Sequence, residues 1–291
     1  MNIIIIKMAT EEPIYRIPDT LYEAIILKRP SAHCKTPYVA DIYIPELDLT
    51  SIAHSPSLGC CGLADKDHKV MVCKIPETKS KKERVCEYVI MLSVIEEKGE
   101  TIYVGIHPKL SETIVHQILL QNKISFIKNI SNVQREKKFL NSRFDFIGKT
   151  DEDDFILEVK SVPLSDYEDI SAKERKKNVC NYEELEVNNK VAYFPDGYRK
   201  NKNQLVSPRA LKHIQELEEI TMTEGNTMLT YLCYVIQRED ANRFQTSVLD
   251  PIYKEAVKKA SNNGVNIIAL QIKWNNNGEA YLMTDSLPIS L

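Results

Sequence analysis

Ser142-Arg143-Phe144-Asp145-Phe146-Ile147, followed by Phe155-Ile156-Leu157-Glu158-Val159-Lys160, is the text that decides how this chain is read. Both segments are apolar enough for buried strands, yet each carries charge where a buried strand would not. Asp145 stands between Phe144 and Phe146, and Glu158 and Lys160 flank Val159. Side chains alternate along a strand, so Glu158 and Lys160 fall on one face. The surrounding aromatic and aliphatic residues imply strands covered on both faces, where an unpaired carboxylate is costly. A carboxylate on one strand, with a carboxylate and an ammonium on the next, is a compact way to hold a divalent cation beside a phosphate. Two hard oxygens suit Mg²⁺ (or Mn²⁺), which keeps its other positions for water and phosphate. The ammonium would stabilise phosphoryl charge or orient the attacking water. The same pattern also describes a cross-strand ion pair on a solvated face.

Composition sets the frame. At 291 residues the chain is long enough for one large or two medium domains. Hydrophobic residues make up 43% and charged residues 27%, the balance of an ordinary globular protein. With 38 basic against 41 acidic residues the net charge is −3, so any nucleic-acid binding must come from local basic patches. The Ile3–Ile6 run is too short for a signal sequence or a membrane span, and no other long apolar stretch occurs. A soluble intracellular protein, with no membrane partner, is expected. The seven cysteines are odd in number and lack the two-residue gap of a zinc knuckle. Reduced thiols in a cytoplasmic or nuclear compartment fit them better than disulfides or zinc.

From Tyr22 to about Ile106 the text is short strands broken by Pro and Gly: Tyr22–Lys28, Tyr38–Ile44, Lys69–Ile75, Arg84–Ile95 and Thr101–Ile106. Such spacing predicts a small β-barrel, and an OB-like barrel fits the length. A basic knot of Lys79, Lys81, Lys82 and Arg84 lies in one of its loops. From Lys109 the period becomes helical, with Ser111 as N-cap and Ile114, Val115, Ile118 and Leu119 as the apolar stripe. The domain boundary is set near Pro108, giving a barrel over 1–108 and an α/β domain over 109–291.

Within the second domain, a strand over Val133–Phe139 precedes the two opening strands. Leu164 to Lys190 turns polar and reads as an exposed insertion around 165–190. Val191–Phe194 is an apolar run that stops at Pro195-Asp196-Gly197. Ser207-Pro208 opens a helix with Ala210, Leu211, Ile214 and Leu217 inward and Gly225 placed to end it. Met228–Gln237 is a strand, Asp250-Pro251 opens another helix, and Val265–Trp274 is the last strand. The order is helix, three strands, helix, strand, helix, strand, a mixed α/β sheet with helices on its faces.

That αβββαβ order, with Asp145 on one strand and Glu158-Val159-Lys160 on the next, resembles the PD-(D/E)xK nuclease superfamily. The surrounding text is more specific. Asn141–Phe146, Glu158–Val162, Tyr193–Asp196, Lys212–Leu217, Val235–Arg238 and Asp250–Tyr253 resemble the SfsA (sugar fermentation stimulation protein) family. Ala53–Pro56 and Gly105–Ile118 extend the likeness into the first half. The resemblance implies an OB-like barrel followed by a restriction-endonuclease-like domain, DNA as partner with RNA as the alternative, and a regulatory role in sugar metabolism. It implies nuclease activity through the fold. The chain departs from the family in a longer 164–190 segment, in extra basic residues over 198–206, and in the Ser57–Cys60 turn.

On these grounds Asp145, Glu158 and Lys160 are the candidate catalytic residues. Asp145 and Glu158 are the metal ligands, and Glu136, which matches a family glutamate, either completes the shell or is a surface partner of Arg135 or Lys137. Arg143 is read as a phosphate anchor or as a partner of Glu158. Lys212 and His213, near a helix start, are candidate nucleic-acid contacts or else an exposed lysine beside a half-buried histidine, and the basic loops with Lys176, Lys177, Arg199, Lys200 and Lys202 are candidate nucleic-acid contacts. Two functions follow: a Mg²⁺-dependent phosphodiesterase, or a nuclease-like module that binds DNA without cutting it.

Overall fold

A computed structural model describes residues 12–55, 62–76, 85–139, 142–170, 174, 177, 182–195 and 205–291. The first part holds β1 (Tyr15–Arg16), β2 (Leu21–Lys28), β3 (Val39–Ile44), β4 (Leu49–His54), β5 (Lys69–Lys74), β6 (Tyr88–Glu97) and β7 (Glu100–Gly105). Helix α1 (Pro108–Leu120) follows, then β8 (Asn132–Phe139), β9 (Ser142–Lys149), β10 (Asp154–Val162), β11 (Ser165–Asp166) and β12 (Lys190–Phe194). The last part is α2 (Pro208–Met222), β13 (Leu229–Ile236), β14 (Ala241–Thr246), α3 (Pro251–Asn262), β15 (Asn266–Trp274), β16 (Glu279–Thr284) and β17 (Ile289–Ser290). No helix among the described residues is long and apolar enough to cross a membrane.

Strands run in the order β4-β3-β2-β5-β6-β7-β15-β13-β10-β9-β8. A parallel pairing of Ala53 with Tyr88 and His54 with Val89 joins β4 back to β6, so five strands close into a ring. The ring's interior is aliphatic, with Ala24, Ile26, Ile42, Val70, Val72 and Ile90 fully buried. β4 is missing from the sequence reading because Leu49–His54 carries Thr50, Ser51 and His54, which mask its alternation.

The other half of the sheet is a two-faced layer. β10, β13 and β15 are mutually parallel, and β9 and β8 continue antiparallel. Helix α1 covers one face, where Leu110, Ile114 and Ile118 meet Phe155, Leu157, Val159 and Val235. Helices α2 and α3 cover the other, where Ile214, Leu217 and Val257 meet Ile156, Leu232 and Tyr234. Alternate residues of β10 therefore enter different cores, and the even-numbered face carries Glu158 and Lys160 toward α2.

Helix starts follow capping chemistry, with one correction. Ser207 and Asp250 accept from Ala210 N–H and Tyr253 N–H, as their sequences predict. α1 starts three residues before Ser111: His107 caps Lys109 N–H, and Pro108 occupies the first turn. Ser111 is instead buried, accepting a hydrogen bond from Gln237 Nε2 at 2.7 Å. α2 ends at Met222, with Gly225 in the turn beyond.

The segment read as an exposed insertion is only partly so. Leu164 and Val187 pack into the ring's core, and Asp169 is buried, accepting from Gln245, Ser247 and Val248. β11, β12, β14 and β17 form a second small sheet, of which the sequence suggested β12 alone. β14, Ala-Asn-Arg-Phe-Gln-Thr, has too few apolar residues to signal a strand.

Two joints tie the ring to the larger layer. At Gly105 a Cβ would stand 2.2 Å from Gln237 Oε1, so no side chain fits there. Gly105 N–H bonds Gln237 O, and Trp274 Nε1 bonds Gln237 Oε1 at 2.8 Å. The second joint is ionic: buried Lys190 bridges Glu97, at the end of β6, to Asp240, which Arg238 also holds.

A carboxylate pair where two strands part

β9 and β10 pair regularly from Lys149↔Asp154 to Phe146↔Leu157, and there the register ends. The next residues, Asp145 and Glu158, leave the ladder. Val159 N–H, which loses its strand partner, donates instead to Asp145 Oδ2 at 2.7 Å. The carboxylate thus substitutes for a backbone acceptor and is fixed beside β10. On the other side, β8 is irregular at the same level. Its register with β9 skips from Arg135↔Phe146 to Lys137↔Phe144, leaving Glu136 across from Asp145 with φ of +52°. A glutamate is seldom found in that left-handed region, so β8 and β9 are both irregular at one level, while β10 keeps its pairing with β13.

Glu158 points toward α2. Its Oε1 contacts both Lys160 Nζ and His213 Nδ1, and Lys160 Nζ lies 3.4 Å from the same imidazole nitrogen. Side-chain exposures are 3% for Glu158, 11% for Lys160 and 6% for His213. Glu158 Oε2 is buried and has no hydrogen-bond partner. One oxygen is doubly held and the other is empty, at a substantial desolvation penalty.

The electrostatics follow from this layout. Burial, and then the neighbouring Glu158, push the Asp145 carboxyl up to about 7, against the opposing pull of Val159 N–H and Lys160. Burial also resists ionisation of Glu158, but Lys160 and His213 outweigh it and hold that carboxyl below its ordinary value. The pair therefore divides into a carboxylate that stays ionised and one that resists ionising near neutrality. Glu112, in the second turn of α1, senses both and is itself raised, by burial first.

The structure brings Asp145, Glu158 and Lys160 together as their spacing suggested, and it adds His213. The imidazole, read as a phosphate contact, is instead enclosed between Glu158, Lys160 and the Phe144 ring. Its burial rules out a role on the surface. Glu136, read as a ligand, is more than half exposed and turned to Arg143 at 3.0 Å. Arg143 accordingly pairs with Glu136, not Glu158. Lys212 is exposed and lies 3.6 Å from Glu216. Lys177 is exposed in a turn. Lys176, Arg199, Lys200 and Lys202 lie outside the described residues, as do the basic knot at 79–84 and the Ser57–Cys60 turn. No group of three His, Cys, Asp or Glu side chains among the described residues converges as a metal cage. Glu112 escaped the sequence reading because an acid early in a helix is ordinarily a favourable charge at its N-terminus.

A family model described as the sugar fermentation stimulation protein RE domain matches residues 109–173 and 176–278, more than half of the chain. The chain belongs to the SfsA family. A sugar fermentation stimulation protein homologue of Clostridium perfringens (strain SM101) is 27% identical over 256 residues, covering 86% of this chain and 90% of that one. A Desulforamulus reducens homologue is 28% identical over 190 residues, 65% of this chain and 64% of its own. The solved structure of Pyrococcus furiosus SfsA in complex with Ca²⁺ superposes with a TM-score of 0.71 at 17% identity, over 96% of this chain and 99% of that one. The mixed α+β fold, a large sheet with three helices among the described residues, is thus that of an SfsA protein.

Proposed function

We propose that this SfsA homologue is a divalent-cation-dependent phosphodiesterase acting on nucleic acid, DNA first and RNA as the alternative. The observation that carries the reading is the buried, partnerless Oε2 of Glu158 beside a carboxyl, Asp145, that burial and like charge keep from ionising. Two hard oxygen ligands that repel one another and leave one oxygen unsatisfied fit a small divalent cation such as Mg²⁺ or Mn²⁺. Asp145 and Glu158 would hold it. The Ca²⁺ complex of the Pyrococcus furiosus relative supports a cation of this charge class. When bound, the cation would supply Lewis-acid polarisation of the phosphoryl oxygens and of water.

The chain's own residues supply the rest. Lys160, held by Glu158 and His213, has its ammonium fixed where phosphoryl charge would develop, and a fixed cation there lowers the barrier without reorganising. Val159 N–H orients Asp145. We read the closed five-strand ring as an OB-like barrel and the αβββαβ layer as a PD-(D/E)xK-type domain, divided near residue 108. The free thiols of Cys34, Cys73, Cys86 and Cys233 support a reducing, intracellular compartment, cytoplasmic or nuclear.

A second reading, a module that binds DNA without cutting, is favoured by Glu136 facing Arg143 and leaving two carboxylates at the site. Labelled single-stranded, duplex and branched DNA, and RNA, incubated with Mg²⁺ or Mn²⁺, separate the two. Cleavage that Asp145→Ala and chelator both abolish supports the phosphodiesterase. Binding with equal inertness of wild type and variant over all substrates leaves the binding module.

A further inference from the structure

A cavity of about 300 Å³ opens at the start of β10, between the loop that joins α1 to β8 and the turn that joins β9 to β10. One wall is aromatic. Phe126 and Tyr231 are stacked with ring centres 6.1 Å apart, and Phe155 meets Tyr231 edge-on at 6.3 Å. Leu229, 38% exposed, extends that wall. Aromatic faces are electron-rich, and among the described residues no lysine or arginine lies over these three rings. Tyr231 is only 4% exposed, yet its hydroxyl makes no hydrogen bond among the described residues. A buried phenol ordinarily has a partner, and the cavity that Tyr231 lines is where one can reach it. Burial, and then the nearby Asp153, push this phenol up.

The rim is acidic. Asp151, Glu152 and Asp153 line the cavity against a single base, Lys128. The turn closes on itself: Thr150 Oγ1 accepts from Glu152 N–H and Asp153 N–H, and Thr150 N–H donates to Asp153 O at 2.8 Å. The adjoining ammonium of Lys149 is held by Asp154 at 3.0 Å. None of the three rim carboxylates has an ion-pair partner among the described residues. The opposite loop is also fixed in place, since Ser125 N–H donates to Asp285 Oδ2 at 2.6 Å and Ile130 N–H to Asn122 Oδ1 at 3.0 Å. An anion would meet three carboxylates and one lysine here. A bare metal ion would gain nothing from the aromatic wall. Carboxylates beside aromatic faces suit a cation with a hydrocarbon body.

We propose that this cavity binds a free alkylammonium compound such as an aliphatic polyamine. Its hydrocarbon lies against Phe126 and Leu229, its charge sits between the Tyr231 ring and the rim carboxylates, and an N–H donates to the Tyr231 hydroxyl. The volume, at the lower end of small-molecule sites, favours a free amine over a folded partner. The site goes beyond the nucleic-acid reading and stands without it, because none of its residues belongs to the Asp145–Glu158 pair.

The test is calorimetry of the full chain at low salt, with spermidine and with tetramethylammonium as separate probes. Both should bind the wild type. Phe126→Leu keeps the hydrocarbon and removes the ring face, and should weaken both probes roughly tenfold. Tyr231→Phe should weaken spermidine roughly fivefold and leave tetramethylammonium unchanged, since that ion has no N–H to donate. Glu152→Gln should weaken both, and spermidine more. Tyr231→Phe and Glu152→Gln should melt, without probe, at the wild-type temperature, which separates lost binding from lost fold. If the wild type binds neither probe, the proposal is wrong. It is equally wrong if Phe126→Leu and Glu152→Gln leave both affinities at the wild-type value, for the amine is then held elsewhere on the surface. Loss of binding in Asp145→Asn but not in Phe126→Leu would move the amine to the carboxylate pair and overturn the assignment. Displacement of spermidine by Mg²⁺, with tetramethylammonium silent, would reduce the cavity to an acidic patch and overturn it as well.

Discussion

Replacing Asp145 by Asn should stabilise the cation-free protein, and by an amount that grows with pH. The folded carboxyl titrates at about 7 against an ordinary 3.8. A raised value means the folded state favours the proton. Stability from this group is therefore complete below about pH 4 and lost as pH rises through about 7. The shift is worth about 1.4 kcal/mol per unit, roughly 4 kcal/mol in full and nearer 2 after allowing for the carboxylate's partial contact with solvent. Asn keeps an oxygen to accept from Val159 N–H, so the variant sheds the charge and preserves the contact. For a chain of this size that corresponds to a rise in Tm of roughly 4–8 °C above pH 8, shrinking to about 1 °C near pH 4. The assay is thermal unfolding of both proteins in excess chelator across that pH range. Adding Mn²⁺ at pH 8 should then raise the wild-type Tm and leave the variant nearly unmoved, since a ligand stabilises only the state that binds it. A Tm difference independent of pH, or an equal Mn²⁺ effect on both proteins, would refute the electrostatic account of the pair.

Further outcomes test the surroundings of the site and the joints. His213→Ala should weaken Mn²⁺ binding, read by calorimetry, by roughly tenfold, because it frees Glu158 and Lys160 to reorient; His213→Asn, which restores a polar group near the Nδ1 position, should recover most of it. Lys190→Met leaves Glu97 and Asp240 short of a buried cation and should cost roughly 3–5 kcal/mol in a denaturant titration. Burial opposes ionisation of both carboxyls, but their cationic neighbours hold them below ordinary values. Their contribution is present at neutral pH and is lost as pH falls, so the Lys190→Met deficit should narrow below about pH 4. Gly105→Ala should cost roughly 1–3 kcal/mol by overpacking against Gln237 and Trp274, seen as a lower denaturant midpoint with an unchanged slope.

The elements around the site were legible because their signals are local. The Phe-Asp-Phe and Glu-Val-Lys stretches alternate with period two, and Ser207-Pro208 and Asp250-Pro251 announce helices whose caps form as written. What stayed hidden depends on contacts distant in sequence. β4 closes the ring through only two residue pairs with β6, and neither is encoded in its own pattern. The small sheet joins strands as far apart as Ser165 and Ile289. His213 shows the limit most sharply. From sequence it sits beside Lys212 near a helix start and reads equally as a phosphate contact or as a half-buried histidine beside an exposed lysine. Its helix is rotated so that Ala210, His213, Ile214 and Leu217 face the sheet while Lys212 looks outward. The apolar stripe that was read correctly already contained this answer, since position 213 lies three residues after Ala210 and four before Leu217.

The same reasoning explains why the protein keeps an arrangement that burdens its own stability. An isolated buried ion pair between Glu158 and Lys160 would need no Asp145 beside it and would leave no oxygen unsatisfied. If the charges served only to hold β9 and β10 together, an apolar pair would do so at least as well, because replacing buried charges by packed hydrocarbon is often neutral or favourable. Instead the strands separate at that level, a backbone donor is diverted to a carboxylate, and the strand beyond adopts a rarely populated backbone at Glu136. Distortion of β8 and β9 around two mutually repelling carboxylates is a burden that a bound cation would relieve. That is the physical reason for proposing a cation and an anionic substrate at this site.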